Sequence, residues 1–447
     1  MNNRNITLLL VISILLVQCS PPMAEQYDDL VFGPIPQRLF DSSVFPDRIV
    51  QTLSTQPATQ ININWRTSPD VATGYVEYAP FSHTIKEGFV PETVLAEVKP
   101  LRYQHVHDNY FSAQVQELSP NTTYMLRVGN DEYRSEWFHV RTAPESMQSF
   151  RFLHFGDVNQ HTKEYGTRVF RQAATQYSNA RFMIHTGNMV SENGDDDNWG
   201  EWFHAGGWLF QETPSVPVTG NGEFISVQQR PVKKSMLYPQ WDRMFRLPQN
   251  GPGGLEGVSY FIDYPGVRVV SVLSHFESIR NGEAEVYLNN EELFTREMFN
   301  DQLIWLRNVL AGNKQPWLVV AMNMPVFSAN RIRDDELLQE HFIPLLEKYN
   351  VDLVLQGNEY VYARGINPDQ ERKDKPPVYV VSVAGGGMQQ AERNQPWIKR
   401  AVNNTQLFQV VTISQSNMRL QSVDIRGRIH DQVNISRSGS GAKRVLN

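Results

Sequence analysis

The chain has a single cysteine in 447 residues, Cys19, so no internal disulfide helps to hold the fold. No stretch offers the roughly 20 consecutive apolar residues that a membrane-spanning helix requires. Basic residues are also short: 41 Lys and Arg face 48 Asp and Glu, and the net charge of −7 argues against a nucleic-acid partner. No internal repeat and no low-complexity tract is present, which excludes an array of stacked repeats. What is there, 40% hydrophobic residues over this length, suffices for two domains with cores of their own.

Five apolar runs of strand type stand out from residue 150 onward: 150–155, 181–186, 215–219, 317–322 and 351–356. Each ends in a short polar motif. These read Gly156-Asp157, Gly187-Asn188, Gly220-Asn221-Gly222-Glu223, Met322-Asn323-Met324-Pro325 and Gly357-Asn358-Glu359-Tyr360. Taken singly, Gly-Asn and Gly-Asp are turn chemistry, because both partners tolerate left-handed backbone. Five in order, each closing an apolar strand, point instead to one rim, since open α/β sheets place ligands at the carboxyl ends of their strands.

Order and spacing resemble the calcineurin-like metallophosphoesterases, and within them the purple acid phosphatases. Gln302-Leu303-Ile304-Trp305-Leu306, the stretch from Phe245 to Pro252 and the run Tyr379 to Gly387 carry the likeness beyond the five motifs. The resemblance implies a trivalent iron held by an aspartate, a bridging aspartate, a tyrosine and a histidine. A divalent metal would take the same bridge, an asparagine and two histidines. Carried onto this chain, the first aspartate is Asp157 and the asparagine is Asn221, and both match. The bridge position holds Asn188, the tyrosine position Ser191, the fourth-motif histidine Asn323, and the last two histidines Asn358 and Tyr360. Gly222 stands where the family has a substrate-positioning histidine.

Two multivalent cations a few ångströms apart repel, and the family offsets this with a shared carboxylate, a phenolate and imidazoles. Amides at those positions remove a charge, a shared ligand and the nitrogen donors. A dinuclear iron or zinc centre is therefore not expected here, nor the metal-bound hydroxide that drives this chemistry. Two readings of the replacements stay open. Asp157, Asn188 and Asn221, with Asn323, Asn358 and Glu223 or Glu359 nearby, form an oxygen-rich set suited to one calcium or magnesium ion. Alternatively the amides hydrogen-bond one another and keep a buried polar site satisfied with no cofactor at all.

Of the histidines near the motifs, His154 and His185 lie within strands and read as packing residues, and only His161 is expected at the rim, with His275 left outside it. The run Asp195-Asp196-Asp197 reads as a solvated loop. Trp199, Trp202, Phe203, Trp208 and Phe210 read as a lid packed on the core, the alternative being a stacking platform for a sugar or aromatic ring. Gly206-Gly207 reads as a tight turn among them.

At the N-terminus, Arg4 precedes an apolar run from Ile6 to Val17, too short to span and suited to a signal peptide. It ends at Leu16-Val17-Gln18-Cys19, which resembles a bacterial lipobox and makes Cys19 a lipidation site; cleavage near Ala24 is the competing reading. Residues 1–19 then form the signal and 20–44 a tether. Residues 45–143 carry short alternating strands at 61–66, 74–78, 111–118, 124–128 and 137–140, the pattern of a β-sandwich. This unit resembles the fibronectin type III-like domain that precedes the catalytic domain in purple acid phosphatases, with Thr142 to Glu145 as linker. A strand pair between Leu407 and Ile435 is expected to finish the second domain, 148–436. The expected fold is thus α+β: a fibronectin-type β-sandwich followed by a metallophosphoesterase αββα sandwich. The expected protein is a lipid-anchored envelope lipoprotein, a pseudophosphatase binding a small phosphorylated or glycan ligand. The alternative is a hydrolase with an altered, mononuclear metal site.

Overall fold

Alternating apolar residues build the first layer pair. Ile61, Ile63 and Trp65 of the strand Ile61–Thr67 point into a core shared with Val76, Phe111, Val115, Leu126, Val128 and Phe138, and the Trp65 ring stacks on Phe111 at 5.1 Å. One sheet of this sandwich orders the strands Glu92–Leu95, Tyr75–Pro80, Thr123–Gly129 and Phe138–Arg141; the other contains Asp47–Thr52, Ile61–Thr67, Val106–Val115 and Glu97–Tyr103. The computed structural model describes residues 40–84, 89–103, 105–191, 195–228, 233–276, 284–288, 293–330, 336–370, 376–392, 394–437 and 443–446. The signal run, Cys19 and the tether up to residue 39 lie outside the described residues. Among the described residues no helix is long and apolar enough to cross a membrane.

Alternation predicts that Ile61–Thr67 has one wet face, yet all seven of its residues are buried. The reason is the next layer. Asn62 Nδ2 and Asn64 Nδ2 donate to the carbonyls of Arg246 (3.2 Å) and Arg243 (2.8 Å), so the polar face is covered by a later segment of the chain that accepts from both NH2 groups. The sheet also continues sideways: Thr52 pairs in parallel register with Ser215, joining the sandwich to the strands Ser215–Pro217, Met183–His185 and Phe150–Phe155. Leu407–Ile413, Asn417–Asp424, Ile429–Arg437 and Lys443–Leu446 extend the other edge to make eleven strands. The expected strand pair in the tail is therefore a four-stranded antiparallel meander.

A second, seven-stranded sheet faces it, with parallel Val267–Ser271, Trp317–Ala321, Leu353–Gln356 and Val378–Val381 at its centre. Every residue of these four strands is buried, as parallel strands covered on both faces require. Phe170 of the helix Thr167–Gln176 packs on Phe155 of the first sheet. Phe299 of Arg296–Ala311 and Phe342 of Glu336–Lys348 pack on Phe276, just beyond the second. The result is an α/β sandwich behind an N-terminal β-sandwich.

The acidic run is not the solvated loop expected of it. Asp195 caps the helix Asp196–Gly206 by accepting from the Asp197 amide, and Asp196 is 8% exposed. Its carboxylate takes a two-pronged bond from Arg48 (2.7 and 2.6 Å) and a third from Arg66 (3.3 Å), which also holds Asp47 and Asp108. Burial pushes the Asp196 carboxyl up, but Arg48 outweighs it and holds it below its ordinary value. Sandwich and α/β layers are thus joined by buried charge. Asp196→Ala leaves Arg48 without its carboxylate, and we expect a loss of about 3–5 kcal/mol in urea unfolding. Because the folded pKa is depressed, this contribution is present above the unfolded value and is lost as pH falls through the folded one, so the wild-type advantage should shrink in acid.

Candidate functional site

Five strand ends deliver their polar residues to one place, and the backbone there is unusual. Asp157, Asn188, Asn358 and Tyr360 all have positive φ, at 46°, 48°, 70° and 53°. Left-handed turns aim successive N–H groups inward and form anion-holding concavities. The anion here is the chain's own Asp157, fully buried. Its Oδ1 accepts from Asn358 N (2.7 Å) and Asn188 Nδ2 (3.0 Å), and its Oδ2 from Tyr360 N (3.0 Å). Burial raises its pKa to about 7, the Tyr360, Asn358 and Asn188 donors offsetting only part of that cost.

Asn188 is the hub. Its Oδ1 accepts from Gly222 N at 2.8 Å, while its Nδ2 donates to Asp157 and, at 3.2 Å, to Asn358 Oδ1. The amide orientation is over-determined, since flipping it would set NH2 against the Gly222 N–H and oxygen against the Asp157 carboxylate. A second buried carboxylate, Glu223, sits behind. It accepts from Gly220 N (2.6 Å), Asn188 N (3.0 Å), Met189 N (2.7 Å) and Val190 N (3.3 Å), and burial again raises its pKa to about 7.

Glycines make the close approach possible. A Cβ on Gly222 would lie 2.0 Å from the Val190 carbonyl oxygen, so no side chain fits there on this backbone. Cβ atoms on Gly187 and Gly220 would meet the Asn323 amide at 2.8 and 2.5 Å. Asn323 is thereby buried, donating to the Thr186 carbonyl at 2.8 Å.

The structure brings Asp157, Asn188 and Asn358 into hydrogen-bond contact, but not every residue of the oxygen-rich set turns inward. Glu359 points away, accepting from Ser328 Oγ (2.6 Å) and Ala329 N (2.5 Å). Asn221 Oδ1 engages His275 Nδ1 at 2.8 Å, and the His275 ring stacks on Phe224. His275 is thus the histidine that joins the site, whereas His161 is 70% exposed and turned to Glu164. Position along the chain misled here: the Val267–Ser271 strand runs out beside the rim, and the signal was the Ser274-His275 pair just past its end. Ser274 Oγ accepts from the Asn323 and Met324 amides. Tyr360 turns its hydroxyl to Asn159 at 3.0 Å. Ser191 is half-buried on the loop after Val190, and among the described residues no hydrogen bond links its side chain to the cluster.

The strand histidines are packing residues. His154 meets Thr186 Oγ1 at 2.8 Å, His185 is ringed by Phe155, Trp202 and Phe210, and burial lowers both to about 3, so both are neutral. The aromatic segment packs too: Trp199, Trp202, Phe203 and Phe210 are buried, and Trp208 is 55% exposed. Gly206 admits Phe210, whose ring would meet a Cβ at 2.1 Å.

Among the described residues no group of three or more His, Cys, Asp or Glu is placed to hold a metal ion. The donor chemistry gives the reason. Both Asp157 oxygens already accept N–H groups, and the residue beside them presents the positive end of an amide. That set does not fit a dinuclear centre.

Raised carboxyl pKa values make folding favour the protonated forms. For Asp157 and Glu223 the stabilising contribution is complete below the unfolded values of about 4 and is lost as pH rises through about 7. Urea midpoints at pH 5 and pH 8 should therefore fall more for the wild type than for Asp157→Asn, which cannot ionise there; equal slopes would show that Asp157 titrates normally.

Comparison with known proteins agrees with this architecture. Residues 46–142 match the family described as Purple acid Phosphatase, N-terminal domain, and residues 150–362 the Calcineurin-like phosphoesterase family. An uncharacterized protein of Mycobacterium tuberculosis is 26% identical over 69% of this chain and 60% of its own length. Purple acid phosphatase 13 of Arabidopsis thaliana is 22% identical over 61% of this chain and 53% of its own. The chain thus spans about 60% or less of the length of these curated relatives. In fold it is similar to purple acid phosphatase PPD1 from yellow lupin seeds (TM-score 0.70, 18% identity, 89% of this chain and 75% of that one). It is also similar to PhoD (TM-score 0.62, 12% identity, 92% and 94%). The chain is purple acid phosphatase-like, with a purple acid phosphatase N-terminal domain at 46–142 followed by a calcineurin-like metallophosphoesterase domain matched over 150–362.

Proposed function

We propose that this protein is a catalytically impaired, purple acid phosphatase-like pseudophosphatase that acts as a lipid-anchored binding or scaffolding protein of the bacterial cell envelope. One observation carries the reading: Asn188, at the position of the family's bridging carboxylate, donates its amide to Asp157 at 3.0 Å. A bridging ligand must offer lone pairs to both ions, and this one offers a proton. Gly222 adds to it, because the backbone there leaves no room for a substrate-positioning histidine. With no metal-activated water and no clamp on phosphoryl oxygens, the family's sources of rate are missing. Membrane attachment through Cys19, and a small phosphorylated or glycan ligand, complete the proposal.

Metal analysis of the purified chain together with an aryl-phosphate assay tests it. We expect substoichiometric metal and hydrolysis at background with added iron, zinc, calcium or magnesium; a stoichiometric metal with metal-dependent turnover would falsify the pseudophosphatase. A single calcium or magnesium ion at Asp157, Asn188 and Asn221 is the competing arrangement. It would compete with the N–H donors on Asp157 and with His275 on Asn221. Thermal unfolding separates the two, since an ion at a hundred times its Kd adds about 2.7 kcal/mol. We expect no shift with either ion.

A further inference from the structure

A cleft of about 1000 Å³ opens away from the strand ends, and none of the five motifs lines it. That volume lies at the top of the range for small-molecule sites, roughly 300–1,000 Å³. One wall is built by the sandwich strands Ile61–Thr67, Glu97–Tyr103 and Val106–Val115, which contribute Asn62, Lys99 and Gln114; the other is drawn chiefly from the segment 237–258. The stretch from Phe245 to Pro252 takes no part in the strand-end cluster, and its residues 245–249 line this cleft instead. Contacts across the cleft brace its walls: Lys99 Nζ donates to the Asp242 carbonyl and Arg243 Nε to the Pro100 carbonyl, both at 3.4 Å. A site already formed has less to order when it binds.

Charge balance says what the cleft suits. Arg243 pairs with Asp242 at 2.6 Å and Arg246 with Glu97 at 3.8 Å, while Lys99 and Glu256 line the cleft without an ion pair among the described residues. Three cations thus meet three carboxylates. A multivalent anion such as phosphate is disfavoured where carboxylates stand beside the cations, and an apolar ligand would strand all of these groups. An extended peptide would add to the sheet edge beside the cleft, but that edge strand, Glu97–Tyr103, carries Pro100, which has no N–H to give, and Lys99 next to it. What fits is a neutral molecule rich in hydroxyls, each of which both donates and accepts.

We propose that this cleft binds an oligosaccharide, at a site separate from the strand-end cluster. Lys99 and the Nε and Nη2 groups of Arg246 donate to sugar hydroxyls, and the carboxylates of Asp242 and Glu256 accept from them. Among the described residues Lys99 Nζ is engaged only by the Asp242 carbonyl, and Arg246 reaches Ser112 Oγ (3.3 Å) and Glu97 through Nη1 alone, so these donors are open to a ligand. The inference rests on the binding-protein reading above and gives its glycan ligand a place.

Native electrophoresis of the full chain through gels cast with dextran, laminarin, xylan or mannan tests this. We expect at least one of these to retard the chain, Lys99→Ala and Glu256→Gln each to weaken that binding about tenfold, and Trp208→Ala, at the exposed aromatic outside the cleft, to leave it unchanged. Migration at the control rate in all four gels would overturn the proposal, as would full retardation of both cleft variants or its loss in Trp208→Ala. Release by excess inorganic phosphate would overturn it too, by making this an anion site. Retardation bears on the cleft alone and metal-dependent turnover on the pseudophosphatase alone, so either fails without the other.

Discussion

The structure around the candidate site depends on two carboxylates that are buried and held by backbone N–H groups. Asp157 and Glu223 are fully enclosed, and burying an ionisable group without partners costs several kcal/mol. The partners come from strand-end turns in left-handed conformation at Asp157, Asn188, Asn358 and Tyr360. Asn tolerates that region; Tyr360 adopts it against its preference, a strain that two bonds offset, one to Asp157 and one from Asn159. Geometry that could cradle an ion from outside is thus saturated from within.

The same logic explains why amides, rather than apolar residues, stand at Asn188 and Asn323. Removing one partner of a buried polar group is more costly than replacing both. The turns keep presenting N–H groups whatever side chains follow, so Asp157, Gly222 N and the Thr186 carbonyl still need donors and acceptors. Asn188 meets both demands in one side chain, accepting from Gly222 and donating to Asp157, and Asn323 meets the third. A leucine at either position would orphan the groups that the amide now serves.

Much of the fold was legible in the sequence because strand ends announce themselves by composition. All five motif-bearing runs are strands, shifted by at most two residues at an end, as with Met183–His185 against 181–186. The convergence of Asp157, Asn188 and Asn358 followed from their order alone. What sequence hid was tertiary. Alternation along Ile61–Thr67 predicts a wet face, but that face meets the backbone of Arg243 and Arg246, nearly two hundred residues on. The Asp195–Asp197 run looks solvated until Arg48 and Arg66 arrive from the sandwich. His275 lies between motifs and reaches Asn221 only because two sheets bring their ends together. Charge pairing and side-chain direction across such separations leave no local periodicity to read.

Those long-range contacts also bear on what the sandwich does. Arg48 and Arg66 grip Asp196, the first residue of the helix that follows the loop carrying Asn188 and Ser191. The loop's other end is fixed by Glu223, which takes the Asn188, Met189 and Val190 amides. The Asn188 turn and the start of the helix are each held by buried charge, and the two anchors lie in different layers. The first domain is therefore tied into the second rather than appended to it: moving the sandwich would drag the start of the Asp196 helix. The position of that helix is thus set jointly by both domains, by Arg48 and Arg66 from the sandwich and by Asp196 from the α/β layers.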